Sequence, residues 1–210
     1  MRPISSFLMA KICPSSSGTS AFGASNNTTS SREIFTVWMK SLIFNGNGCT
    51  VFDSNGQIIY RIDNYNRKCS DGVFLMDLRG TVLLTMVRKK LRVFGRWEGY
   101  KSNGSKLEEG KPWFVVRKPC RIMKGDSFYE VTVRWATDQS NCYMIKGSTV
   151  RSGCKIVDKV GRIVAEVKQK LSTSGVVLGD DVLSLVVEPN MDHSLIMGLV
   201  VVYGLVSQSM

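Results

Sequence analysis

From Glu33 to Glu188 the apolar positions recur mainly at every second residue. Val131, Val133 and Trp135 alternate with Glu130, Thr132 and Arg134, and Leu91 and Val93 alternate with Lys90, Arg92 and Phe94. A period of two marks strands with one face in a core and the other in water. The runs are short and punctuated by Asn45-Gly46-Asn47-Gly48, Asn55-Gly56, Asn103-Gly104 and Lys124-Gly125-Asp126. Asn and Gly both tolerate the positive φ that a tight hairpin needs. Closely spaced strands joined by such turns predict an antiparallel sandwich or barrel.

One turn pattern recurs. Phe52-Asp53-Ser54-Asn55-Gly56, Met76-Asp77-Leu78-Arg79-Gly80 and Val157-Asp158-Lys159-Val160-Gly161 each place an apolar residue before Asp-x-x-Gly, with aliphatic residues following. The Asp can accept from backbone N–H groups inside the turn, and the Gly can take the left-handed conformation that closes it. A calcium loop would need ligands at further fixed positions and a terminal Glu, which these runs lack. They are read as hairpin turns.

The pattern changes near the C-terminus. Pro189 ends the preceding strand because it cannot donate to a ladder. Asp192 is a good helix N-cap. From Leu195 to Val206 there are twelve residues without a charge. A membrane-spanning helix needs about 20. A helix from about His193 to Leu205 would be apolar all round, so it must be buried on every side. In an all-β protein that means closing the sheet around it. The alternative is a final strand through Val200-Val201-Val202-Tyr203, which Gly198 and Gly204 would interrupt.

The chain has 210 residues and 43% hydrophobic composition, which suits one cored domain with a tail and excludes collagen, coiled-coil and disulfide-scaffold classes. Residues 1–32 carry no acid and many Ser, Thr and Asn, and are expected to form a disordered extension, with an organellar transit peptide as the alternative. The domain proper is expected over 33–210. Six dispersed cysteines, Cys13, Cys49, Cys69, Cys120, Cys142 and Cys154, show no metal-ligand spacing, and no secretory pattern precedes them. They read as reduced and mostly buried in an intracellular protein.

Charge narrows the partners. The formal net charge is +11, and residues 85–124 hold twelve basic side chains against three acids. A weaker basic run covers Arg151 to Lys170. Such clustering points to an anionic partner, while solvated strand faces that blunt sheet edges are the plainer alternative.

The stretches Phe35-Thr36-Val37-Trp38-Met39-Lys40-Ser41 and Phe44-Asn45-Gly46-Asn47-Gly48-Cys49-Thr50-Val51-Phe52-Asp53 resemble the LURP-one-related family of plant proteins. The resemblance continues through Ser54-Asn55-Gly56 and Tyr60-Arg61-Ile62-Asp63-Asn64-Tyr65, then Met76-Asp77, Gly80, Trp97-Glu98-Gly99-Tyr100, Val187-Glu188-Pro189 and Asp192. It covers about residues 33–210. It implies a mainly β, tubby-like fold: a closed antiparallel barrel of about twelve strands around a central hydrophobic C-terminal helix. Tubby domains and phospholipid scramblases share that fold. The resemblance also implies basic side chains that bind phosphoinositides, tethering to membranes, a link to plant defence and no enzymatic activity.

No catalytic constellation emerges. The single histidine, His193, falls at the expected helix start, where capping or hydrogen bonding is its expected role. Asp180-Asp181, the one adjacent carboxylate pair, reads as a hairpin tip after Gly179. The tryptophans Trp38, Trp97, Trp113 and Trp135 all fall on predicted strands, where packing in the core or barrel wall is their expected role. No catalytic residue, metal ligand or cofactor is expected. The candidates for an anionic lipid headgroup are Lys89, Lys90, Arg92, Arg96, Arg117, Lys118 and Arg121. Nucleic acid is the second partner class, although no nucleic-acid-binding motif accompanies the charge. A scramblase-like lipid protein ranks third, without that family's cysteine cluster or calcium site, and a protein-interaction scaffold remains open. The expected protein is a monomer in the cytoplasm, at a membrane periphery or in the nucleus, with no spanning segment.

Overall fold

A computed structural model describes residues 28–39, 48–64, 72–89, 95–103, 106–107, 110–119, 128–135, 140–147 and 153–207. The strands are β1 (Glu33–Met39), β2 (Cys49–Phe52), β3 (Ile58–Asn64), β4 (Gly72–Met76), β5 (Val82–Lys89), β6 (Arg96–Asn103) and β7 (Lys106–Leu107). They continue as β8 (Phe114–Arg117), β9 (Phe128–Arg134), β10 (Ser140–Gly147), β11 (Cys154–Asp158), β12 (Ile163–Gln169) and β13 (Val182–Val187). One helix follows, α1 (His193–Ser207).

Twelve strands close on themselves in the order β5-β4-β3-β2-β1-β13-β12-β11-β10-β9-β8-β6, and β6 pairs back onto β5. Every pairing described is antiparallel. The two-residue β7 pairs with β6 alone and lies outside the ring. Closure gives each of the twelve ring strands a partner on both sides, so the ring itself has no free edge among the described residues. It also creates an interior that must be filled, and α1 fills it. His193 and all residues from Leu195 to Tyr203 on α1 are buried, so a helix apolar on every face meets wall on every face. Phe35, Ile62, Leu84, Met86, Phe114, Val131, Ile145, Ile156 and Leu185 point inward around it. The helical interpretation of the C-terminal segment therefore holds, and the strand alternative does not.

Asp192 caps α1 as expected: its Oδ1 accepts from the Leu195 N–H at 3.1 Å and from the Ser194 hydroxyl at 2.5 Å. The alternation in β9 also holds, with Tyr129, Val131 and Val133 buried between partly exposed neighbours.

The Asp-x-x-Gly repeats form three copies of one structure. Asp53, Asp77 and Asp158 each accept two backbone N–H bonds at Oδ1, from the residues two and four positions on, at 2.8–3.0 Å. Gly56, Gly80 and Gly161 close the turns at φ 77°, 80° and 87°. A register shift precedes each turn, between Val51 and Phe52, Leu75 and Met76, and Ile156 and Val157. The repeat thus encodes a bulge followed by a turn.

The helix gives the barrel two distinguishable ends. At the first, where α1 begins, His193 lies beside Glu33 and Phe35 of β1. At the second, where α1 ends, Gly204 faces Met39 at the far end of β1. The antiparallel order then places all three Asp-x-x-Gly turns at the first end. It also places the β12–β13 connection at the second end.

Two expectations are corrected. Asp180-Asp181 is not a hairpin tip. The tip lies earlier, where the Ser172 hydroxyl accepts from the Val176 N–H at 3.1 Å and Gly175 takes φ 80°. Asp180 and Asp181 sit at the hairpin base, because the chain must re-enter β13 there. Nor do all tryptophans lie on strands inside the wall. Trp113 precedes β8 by one residue, Trp135 follows β9 by one, and Trp38 is 44% exposed on the outer face of β1. The expected turns at 45–47, 104 and 124–126 and the expected strand through Leu91 and Val93 lie outside the described residues.

Residues 28–32, at the end of the expected extension, meet the barrel. The Asn190 N–H donates to the Thr29 carbonyl at 2.8 Å, and Arg32 pairs with Glu188 at 3.2 Å.

Candidate functional site: a cationic rim at the end of the barrel

Three of the seven candidate cations form one row. Lys89 on β5 is the register partner of Arg96 on β6, and Arg96 is the register partner of Arg117 on β8. Direct partners in an antiparallel pair point to the same face, with Cβ atoms about 4.5–5.5 Å apart. All three are exposed on the outer face. Lys118 follows Arg117 and is also exposed. Arg88, not among the candidates, pairs in register with Trp97 and is exposed at the same rim. Lys90, Arg92 and Arg121 lie outside the described residues.

The row sits at the second end of the barrel. Leu84 of β5 lies beside Gly198 in the middle of α1, and Lys89 is five residues further along the strand, away from the helix N-terminus. Tyr129, next to the Glu130 that pairs with Arg117, packs edge-on against Tyr203 near the end of α1. The helix carboxyl end carries a partial negative charge, which cations at this end complement.

These cations are not equivalent. Arg96 Nη2 lies 2.6 Å from Glu98 Oε1, and the Glu98 side chain is only 4% exposed. The Tyr100 hydroxyl donates to Glu98 Oε2 at 2.6 Å. That hydrogen bond, with some desolvation, pushes the Tyr100 phenol up to about 12. Arg96 therefore neutralises a carboxylate that water barely reaches, and removing it would strand a buried charge. Arg117 is different. Its 3.1 Å pair with Glu130 is open to water on both sides, and such pairs contribute about 0–1 kcal/mol. Lys89 and Arg88 have no ion-pair partner among the described residues. Five cations against Glu98 and Glu130 leave the rim positive. Lys89 and Arg88 are the cations most available to a ligand, followed by Arg117 with its weak, exposed pair.

The alternation of β6 splits the basic stretch. Arg96, Glu98 and Tyr100 face out; Trp97, Gly99 and Lys101 face in. Lys101, five residues beyond Arg96 along β6, lies at the first end of the barrel, apart from the row. Its Nζ is 3.5 Å from Asp192 Oδ2 and 3.9 Å from the centroid of the Trp113 ring. It bridges the helix cap to the wall, a role the bare charge count did not distinguish from the others. An inward phase on β6, fixed by Gly99 opposite Phe114, is the signal that would have found it.

The remaining chemistry is structural. His193 is buried, with Nε2 3.6 Å from Glu33 Oε2, and burial holds its imidazole below the usual range despite the Glu33 and Asp192 charges nearby. Asp180 accepts from Gln169 at 3.1 Å and Asp181 from the Trp38 indole N–H at 2.8 Å. Burial pushes the Cys49 and Cys154 thiols up to about 12, so neither is a nucleophile near neutral pH. Among the described residues there is no group of three potential metal ligands, and no helix is long and apolar enough to cross a membrane.

Comparison with known proteins agrees with this architecture. A solved X-ray structure of an Arabidopsis thaliana protein superposes with a TM-score of 0.60 at 19% identity, covering 86% of this chain and 94% of that one, which shows a shared fold. Protein LURP-one-related 11 of Arabidopsis thaliana is 44% identical over 207 residues, 95% of this chain and 89% of its own. Proteins LURP-one-related 2 and 3 of the same plant are each 48% identical over 186 residues, 84% of this chain and 81% of theirs. The family model described as LURP-one-related matches residues 33–204, beginning at the first residue of β1 and ending within α1. With its closed barrel, its threaded helix and these relatives, the chain belongs to the LURP-one-related family.

Proposed function

We propose that this protein is a non-enzymatic binding module that docks on acidic lipid headgroups, phosphoinositides foremost, and so tethers to a membrane surface. The observation that carries this is the register row Lys89–Arg96–Arg117, extended by Lys118, at one end of a closed barrel. Cations from three strands converge on one rim, which a merely soluble surface does not require. The headgroup contacts are assigned to Lys89, Arg117 and Lys118, with Arg96 holding the row's shape through Glu98. Lys90, Arg92 and Arg121 complete the candidate set. Each basic residue near an anionic surface contributes about 1 kcal/mol, so several must act together.

The test is sedimentation with phosphatidylcholine vesicles, with and without a phosphoinositide, at moderate salt. Binding to the phosphoinositide vesicles is expected, falling as salt rises. The K89Q/R117Q variant should bind about 30-fold more weakly, the equivalent of about 2 kcal/mol. Equal binding of the wild type to both vesicle types would sink the proposal.

A further inference from the structure

The β12–β13 connection carries an apolar surface that the barrel does not use. Leu171, Val176, Val177 and Leu178 are each 45–64% exposed. Leu171 and Val177 form a bridge and so share one face of the hairpin, while Val176 and Leu178 fall on the other. Both faces are therefore apolar and both are wet. A hairpin folded back onto the core would have buried one of them.

This hairpin has a fixed shape. Leu178 N–H donates to the Lys170 carbonyl at 3.0 Å and Ser172 N–H to the Val176 carbonyl at 2.7 Å, while the Gly175 N–H bonds back to the Ser172 carbonyl at 3.0 Å. The Ser172 and Ser174 hydroxyls pair with each other at 2.8 Å. Residues 171–179 carry no charge. At the base, Lys170 bonds to the Thr36 hydroxyl, and Asp181 holds the indole of the exposed Trp38. Internal backbone bonds that hold the hairpin's shape and an uncharged tip suit entry into a headgroup layer. A tryptophan with its N–H bonded and its ring exposed suits the same boundary.

Position selects the occupant. The hairpin leaves the barrel at the end where α1 finishes, because Val182 of β13 pairs with Trp38 of β1. The row Lys89–Arg96–Arg117 lies at that same end. In the ring order, β5, β6 and β8 stand across the barrel from β12 and β13. One end thus carries cations on one side and an apolar hairpin on the other.

We infer that residues 171–178 form a membrane-inserting hairpin: its apolar side chains enter the interface of an anionic bilayer while the cationic rim opposite contacts the headgroups. The inference rests on the headgroup-binding function proposed above. It adds a second, uncharged attachment point, which fixes the barrel end-on to the surface.

The experiment uses the full chain and vesicles of phosphatidylcholine with a phosphoinositide. V176S/L178S removes apolar surface without changing charge, and both positions are exposed, so its thermal melting should match the wild type. It should bind about tenfold more weakly with an unchanged salt slope, since the lost contribution is uncharged. V176F should bind more tightly, and it decides the matter should V176S/L178S melt early. Wild-type affinity in V176S/L178S, or no gain in V176F, overturns the inference and leaves the headgroup proposal standing. Failure of the wild type to bind these vesicles overturns both. A wild-type dimer in gel filtration that V176S/L178S converts to monomer, with vesicle binding unchanged, would show the hairpin to be an interface between copies and overturn the inference.

Discussion

The ring of Phe114 fills the space that a side chain at Gly99, its register partner across β6 and β8, would occupy. A Cβ at Gly99 would lie 2.3 Å from Cε1 and 2.4 Å from Cζ of that ring. The same ring is 3.3 Å from where a Cβ at Gly198 of α1 would sit, so one aromatic is seated between two glycines, one on the wall and one on the helix. Phe114 is fully buried, and the ring has nowhere to retreat.

G99A should therefore destabilise the barrel by about 1–3 kcal/mol through overpacking. G198A should cost less. Its shortest approach, 2.5 Å, is to Leu84 Cδ2, the end of a flexible side chain, and alanine recovers about 1 kcal/mol of helix propensity. Denaturant midpoints of the two variants rank the effects. A G198A penalty larger than that of G99A would contradict the packing described.

Asp192 is expected to matter more than an exposed helix cap. It is buried, caps Leu195 and holds Lys101 against Trp113. D192A should lower stability by about 1–2 kcal/mol from the lost cap, with a further loss because Lys101 keeps its charge without its partner. D192N retains the cap acceptor and should fall between wild type and D192A. Chemical denaturation of the three proteins checks the order.

His193 makes a pH-dependent contribution with a definite sign. Burial lowers its folded-state pKa below the unfolded value of 6.5, against the opposing pull of Glu33 and Asp192. The neutral imidazole is favoured by folding, so its contribution is complete above the unfolded pKa. As pH falls below 6.5 the unfolded chain takes up a proton first, and stability drops until the folded pKa is passed. His193 is the chain's single histidine, so H193Q should flatten the stability profile in that window. Melting curves between pH 7 and pH 5 measure it. Identical slopes for wild type and variant would exclude this origin.

Among the described cysteines, Cys142 is exposed and Cys49 and Cys154 are buried. With their thiols pushed up to about 12, Cys49 and Cys154 should resist a maleimide in the native state. Cys142 should react promptly, and the other two only in denaturant. Peptide mass mapping after timed labelling reads the order directly. Early modification of Cys154 would show that the wall beside Tyr203 opens more readily than the packing implies.

The parts legible from sequence were those set by neighbours along the chain. Alternation in β9, the Asp-x-x-Gly turns at Asp53, Asp77 and Asp158, the Asp192 cap and the all-apolar α1 each depend on residues a few positions apart. An apolar helix with no wet face also required a closed wall, so even closure was implied by local chemistry. Family resemblance added the expected strand number, about twelve. The basic stretch was visible only as a count.

What that count could not separate, pairing did. Arg96 and Lys101 differ by five positions on β6, an odd step, so they face opposite sides of the wall: one joins the rim and the other the helix cap. Lys89, Arg96 and Arg117 become neighbours only because β5, β6 and β8 lie side by side. The β12–β13 hairpin reaches the same rim because β13 runs antiparallel to β1. Hydrophobic period and turn geometry are local, so the strands, their turns and the helix that must be enclosed could be read along the chain. Which charges converge, and which end of the barrel carries both cations and an apolar hairpin, was decided by tertiary structure alone, because strand neighbours and strand direction are set by contacts between residues far apart in the chain.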